Sequence, residues 1–191
     1  MISLQDFSDT GALLAGHFRL SSGLHSDRYL QCARLLMWPE RAEQAGRELA
    51  AKLAEFSPSA VVSPALGGVV IGHETARALE LPAMFVERKD GALALRRGFS
   101  LAPGEPVVVV EDVFTTGKST REAAAAVEAA GGRVVAVGSI VDRGLPPGAF
   151  AVPARSLLSL SVPSWREAEC PLCLQGIPIE APGSRFSGRA T

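Results

Sequence analysis

Val107-Val108-Val109-Val110-Glu111-Asp112-Val113-Phe114-Thr115-Thr116-Gly117-Lys118-Ser119-Thr120 is the stretch on which the reading of this chain turns. Its unbroken β-branched run predicts a strand buried on both faces, as in a parallel sheet covered by helices. The run ends in two adjacent acids, and a Thr/Gly/Ser loop then leads into an Ala-rich helix from Arg121. Open α/β sheets bind ligands at the carboxyl ends of their strands. Hydroxyls, a flexible glycine and backbone N–H groups at a helix start suit a phosphate monoester. Two carboxylates would repel that phosphate, so Glu111 and Asp112 are expected to hold sugar hydroxyls or Mg²⁺. A ribose 5-phosphate has the matching polarity, with hydroxyls at the acids and phosphate in the loop.

Two nucleotide-binding alternatives fail on spacing. A triphosphate loop needs a glycine five residues before Gly117-Lys118-Ser119, and Asp112 stands there instead. No Gly-x-Gly-x-x-Gly follows any predicted strand, so a dinucleotide site has no support.

Outward from this motif, strand and helix signals alternate. Strands are expected at 60–63, 83–87, 107–111, 134–142 and 156–160, with helices at 39–55, 70–79 and 121–130. The alternation predicts an α/β fold, a twisted parallel sheet with helices on both faces. Residues 1–35 fit it poorly and hold only short strand-like pieces at 18–20 and 28–31. The segment after Val162 is irregular, with prolines at 163, 171, 178 and 182. Residues 181–191 are rich in Gly, Ser and Arg and read as a mobile tail.

The chain of 191 residues suffices for one well-buried domain. Its 19 basic and 20 acidic residues give a formal net charge of −1, which offers no general attraction to nucleic acid or to anionic membranes. No apolar stretch reaches the length of a membrane span, and no export signal is visible at the N-terminus. With three cysteines and no secretory context, the cytoplasm is the expected compartment.

Glu111 to Ser119 resembles the phosphoribosyl-diphosphate signature of the type I phosphoribosyltransferases. Within that family the chain is most similar to the orotate-specific members. Further segments carry the resemblance in order: 18–26, Ser63-Pro64-Ala65-Leu66-Gly67-Gly68, Glu87-Arg88-Lys89-Asp90-Gly91 and Val141-Asp142-Arg143. The resemblance implies an Mg²⁺-dependent transferase that makes orotidine 5′-monophosphate and pyrophosphate from phosphoribosyl diphosphate and orotate. It implies a core at about 36–160 with a small hood, at about 1–35 plus 161–180, over the carboxyl edge of the sheet.

Roles follow from the resemblance residue by residue. Asp112 and Glu111 would grip the ribose hydroxyls, directly or through Mg²⁺. Val113 and Phe114 would also contact phosphoribosyl diphosphate, Thr115, Thr116, Gly117, Lys118 and Ser119 would hold its 5′-phosphate, and Ala65, Leu66, Gly67 and Gly68 would meet the pyrophosphate. Arg88 and Lys89, on a flap at about 88–97, would serve the neighbouring subunit of a homodimer. Arg143 would pair with the orotate carboxylate, helped by Thr115 and Ser21. Three positions depart from the family pattern. Gly67 stands where a basic residue is common, Ser21 where many orotate enzymes have lysine, and 91–95 lacks the further flap lysine and histidine, so that either Arg96 or Arg97 substitutes or pyrophosphate neutralisation is weaker.

Two rivals share the central motif: a purine or xanthine phosphoribosyltransferase, and a regulator that senses phosphoribosyl diphosphate and binds nucleic acid. The first would have no carboxylate for Arg143, and the second usually shows a basic surface. Cys170-Pro171-Leu172-Cys173 supplies half a zinc site, but His17, His25 and His73 show no ligand spacing near it, so it reads as a structural turn.

Overall fold

The computed structural model describes residues 1–20 and 22–182, so Ser21 and residues 183–191 of the expected tail lie outside the described residues. Helix α1 (Leu4–Asp9), which the sequence reading does not anticipate, precedes a hairpin of β1 (Leu13–Arg19) and β2 (His25–Leu30). Helices α2 (Cys32–Leu36) and α3 (Pro39–Leu53) follow, the latter closed by a single 3-10 turn at Ala54–Phe56. Then come β3 (Ala60–Pro64), α4 (Gly68–Leu79), β4 (Ala83–Lys89), β5 (Ala92–Leu95), β6 (Pro106–Phe114), α5 (Lys118–Ala129), β7 (Arg133–Asp142), β8 (Ala154–Ser159) and α6 (Pro171–Leu174).

The main sheet has the order β5-β4-β3-β6-β7-β8, parallel throughout except for β5, which returns antiparallel beside β4. From β3 the chain builds outward to β4 and β5, then crosses back to lay β6 on the other side of β3. That reversal opens a crevice beyond the carboxyl ends of β3 and β6, where ligands bind in folds of this kind. The loops at 65–67 and 115–117 flank it.

The valine run earns its central place by burying both faces. Val108 and Val110 join a core with Leu49 and Leu53 of α3 and Ile71 of α4. Val107 and Val109 point the other way, into a core with Ala123 and Val127 of α5. All four valines are fully buried, and each contributes roughly 1.5–3 kcal/mol by leaving water. Helix α4 sits close on β3 because Gly72 lacks a side chain: a Cβ there would lie 1.8 Å from Ser63 Oγ.

Strand β6 runs past the expected end at Glu111. Val113 pairs with Val141 and Phe114 with Asp142 on β7, and Phe114 is 1% exposed, packed 5.1 Å from the Phe150 ring. Burial of that ring extends the strand by three residues, so Val113 and Phe114 are sheet residues, not part of the loop. Helix α5 likewise starts earlier than residue 121, at Lys118.

The chain ends meet at the hairpin. Glu180 N donates to His17 O at 2.7 Å and Arg19 N to Glu180 O at 2.8 Å, while His25 and Trp165 exchange both backbone bonds at 2.8 and 2.9 Å.

Candidate active site

Beyond the carboxyl end of β6, a cavity of about 260 Å³ is walled on one side by Glu111, Asp112 and Val113 of the strand. Thr115 and Ser119 form its rim, and Arg19, Tyr29 and Gln31 close it from the hairpin, with Arg143 at the end of β7. Three segments well separated in sequence, 19–31, 111–119 and Arg143, thus converge on one space. Acids sit at one wall and guanidinium groups at another.

Glu111 is 6% exposed, and its Oε2 accepts a 2.6 Å hydrogen bond from Ser119 Oγ. Burial, then the neighbouring Asp112 carboxylate, push it up from 4.5 to about 8, against the opposing pull of the Ser119 bond. Asp112 is also raised, chiefly by burial, while its Oδ1 accepts from Val113 N at 2.8 Å. Side by side and shielded from water, Glu111 almost fully and Asp112 partly, the two carboxylates favour a cation or hydroxyl donors against them. This donor set of hard carboxylate oxygens fits Mg²⁺ in its usual mode, one or two carboxylates plus substrate oxygens.

Gly117 joins strand to helix in the left-handed conformation, φ 72°, and a Cβ there would meet the Phe150 ring at 2.9 Å. Only glycine fits both demands. The first turn of α5 therefore starts without a side-chain cap, and Thr116 Oγ1 lies 3.4 Å from Lys118 N. Thr115, Thr116 and Ser119 are exposed beside these amides, an arrangement that favours an anion. Across the crevice, the 65–67 loop is exposed and comes so near that a Cβ on Gly67 would be 3.1 Å from Asp112 Oδ2. A side chain at Gly67 would require the Asp112 carboxylate to give by a few tenths of an ångström.

Arg143 is half-buried at the far wall, held by its backbone N donating to Phe114 O at 2.8 Å. Its Nε is buried with no hydrogen-bond partner among the described residues. Burial lowers its pKa without discharging it, and Tyr29 opposes the shift. Such a group is poised for a planar anion that can take two parallel hydrogen bonds.

The flap cations are elsewhere engaged. Arg88 bonds Glu122 of α5 at 2.6 Å and Gly91 O at 2.6 Å. Arg97 and Arg96 lie 3.0 and 3.6 Å from Glu87, and Lys118 Nζ lies 3.8 Å from Glu122. Lys89 is exposed at the end of β4. Among the described residues, neither 65–68 nor 88–97 lines the cavity itself. Conversely, sequence reading assigns no role to Arg19, which the hairpin brings into the wall. Only its place inside the 18–26 segment could have flagged it.

The family described as phosphoribosyl transferase domain matches residues 34–168. An orotate phosphoribosyltransferase of Thermotoga maritima is 51% identical over 176 residues, covering 92% of this chain and 94% of the relative. One from Chlorobium phaeobacteroides is 47% identical, covering 95% and 94%. Among solved structures, orotate phosphoribosyltransferase from Aeropyrum pernix superposes with a TM-score of 0.67 at 29% identity, over 82% of this chain and 92% of that one. The Mycobacterium tuberculosis enzyme in complex with 5-phospho-α-D-ribosyl 1-diphosphate does so with a TM-score of 0.60 at 30% identity, over 69% and 81%.

Proposed function

Since this chain belongs to the phosphoribosyl transferase family, we infer that its cavity joins the 5-phosphoribosyl group of phosphoribosyl diphosphate to orotate. It is an orotate phosphoribosyltransferase, a pentosyltransferase of pyrimidine synthesis. The observation that carries the base assignment is Arg143, a half-buried guanidinium with an unpartnered Nε in the same cavity as the acid pair.

In such a transfer the bond from C1 to the pyrophosphate oxygen breaks as a base nitrogen attacks, through a ribosyl cation-like transition state. No side-chain nucleophile is required. The protein must hold the sugar, neutralise the leaving group, orient the base and keep water out. Asp112 and Glu111 would bind the 2′- and 3′-hydroxyls, and would also be the residues that hold Mg²⁺. Bound there, the cation would draw charge off the departing pyrophosphate. Thr115, Thr116, Gly117 and Ser119, with the first-turn amides of α5, would hold the 5′-phosphate. Lys118, paired with Glu122, contributes charge at longer range. The backbone of 65–68 would meet the pyrophosphate. Arg143 would take the orotate carboxylate, with Thr115 beside it and the backbone near Tyr29–Gln31 facing the ring.

Arg88 and Lys89 would act on a partner's site in a homodimer. That neither residue lines the cavity of its own chain, where Arg88 is instead bonded to Glu122, supports that reading. We take the hood as 1–35 plus 161–180, and place the enzyme in the cytoplasm.

The test is a panel of bases with phosphoribosyl diphosphate and Mg²⁺, following pyrophosphate release. Turnover with orotate and none with uracil, adenine or hypoxanthine is expected. Turnover with a purine would overturn the base assignment, and silence with every base would favour a sensing regulator.

A further inference from the structure

Outside the cavity, the hairpin and the C-terminal segment bring His17, His25, Cys170 and Cys173 together, and one ligand atom from each lies within 4.8 Å of every other. The fold thus brings two of the three histidines to Cys170-Pro171-Leu172-Cys173, which their spacing in the sequence does not show. We propose that these four side chains form a structural zinc site that fastens the C-terminal segment to the hood hairpin.

Four of the six edges between the ligand atoms are close to those of a tetrahedron. Zinc bonds of about 2.3 Å to sulfur and about 2.0 Å to nitrogen, at tetrahedral angles, set S–N edges near 3.5 Å and an N–N edge near 3.3 Å. Cys170 Sγ and Cys173 Sγ lie 3.5 and 3.6 Å from His17 Nε2, and Cys173 Sγ is 3.2 Å from His25 Nδ1. The two ring nitrogens are 3.1 Å apart.

Hydrogen bonding alone explains the cluster poorly. His17 Nδ1 sits 2.7 Å from Ile177 O. A carbonyl only accepts, so Nδ1 carries the proton and the neutral ring presents its one lone pair at Nε2. Three groups, both thiols and His25 Nδ1, crowd that single acceptor. One lone pair cannot take three donors, but it can take one cation that all four groups share. The carbonyl behind Nδ1 is also the usual second partner of a zinc-bound histidine, fixing tautomer and ring orientation.

Charge and burial agree. His17, His25 and Cys170 are buried and Cys173 is partly exposed. Two thiolates and two neutral imidazoles around a dication sum to zero, which lets the site sit away from water. Cys170 and Cys173 bracket the start of α6, the tight turn that lets two sulfurs face one point. The backbone bonds from Trp165 and Glu180 to the hairpin flank the cluster on both sides. The ion would thus cross-link segments some 150 residues apart in sequence (|i−j| is 153 for Cys170 and His17), two residues from the cavity residue Arg19.

Full-length protein purified from zinc-supplemented culture should carry about one zinc per chain by elemental mass spectrometry. The metal-free chain refilled with Co²⁺ should show the thiolate-to-cobalt charge-transfer band and the intense visible bands of a tetrahedral site. In Cys173→Ser, zinc should fall at least tenfold, while His73→Ala, outside the cluster, keeps it. His25→Cys, which preserves a four-ligand set, should also retain the metal and guards against loss through misfolding. Wild-type protein with under about 0.1 zinc per chain and no cobalt thiolate band would overturn the proposal. So would zinc that survives Cys173→Ser undiminished.

Discussion

Ser119 Oγ donates to Glu111 Oε2 at 2.6 Å, tying the first turn of α5 to the acid at the end of the valine strand. The bond links the two halves of the motif: the residue expected at the phosphate also steadies the carboxylate expected at the sugar. It is one of the influences that lower Glu111, against the burial that raises it.

This pair predicts a pH dependence of stability. Glu111 is raised from 4.5 to about 8 in the ligand-free fold, so between those values the folded state binds a proton that the unfolded chain releases. Stability from this group is therefore present below pH 4.5 and is lost as pH rises toward about 8. The thermal midpoint of ligand-free wild type should fall across that window more steeply than that of Glu111→Gln. Ser119→Ala should move the upper end of the window upward, the lower end being set by the unfolded chain. Parallel profiles for wild type and Glu111→Gln would refute the shift.

Asp112→Asn removes one charge while keeping the shape of the crevice wall. Turnover should drop by at least about 100-fold, with the thermal midpoint within a few degrees of wild type. A near-normal kcat/KM would remove Asp112 from the sugar site.

A shared flap makes a mixing prediction. Lys89→Ala and Asp112→Asn should each be nearly inactive alone. After subunit exchange at equal amounts, half the dimers are hybrids with one intact site, restoring about a quarter of wild-type activity. No recovery would show that each flap serves its own chain.

Gly72 tests the packing that sets the crevice. Alanine there would place its Cβ 1.8 Å from Ser63 Oγ, at the end of β3. Overpacking of this kind costs about 1–3 kcal/mol, or roughly 2–10 °C in a chain of this size. Ser63→Gly should recover most of the loss, as read by thermal denaturation. An unchanged midpoint in Gly72→Ala would mean that α4 shifts freely on the sheet.

What could be read in advance follows from how local each signal is. Val107 to Val110 declared a doubly buried strand because every position is apolar and β-branched, and the acid pair and Gly117-Lys118-Ser119 lie on the same short segment. That the strand runs on to Phe114 is not legible there, because the burial of its last residues depends on β7 and on Phe150, which local pattern does not reveal. The sheet with its covering helices, and the hairpin from Glu87 to Leu95, stood out by alternation and turn residues. The cavity's far wall did not: Arg19 and Tyr29 reach it only through the docking of β1 and β2. The His17–His25–Cys170–Cys173 cluster was hidden most deeply, since no spacing rule joins ligands from opposite ends of a chain.

Arg143 bears most directly on what this protein does. Steady-state kinetics of Arg143→Ala, with each substrate varied in turn, separate its role from those of the phosphate loops. Losing a buried bidentate partner for a carboxylate should raise the KM for orotate at least about tenfold and leave that for phosphoribosyl diphosphate within about twofold. Equal changes in both constants, or none in either, would contradict a carboxylate held by Arg143 and with it the identification of the base.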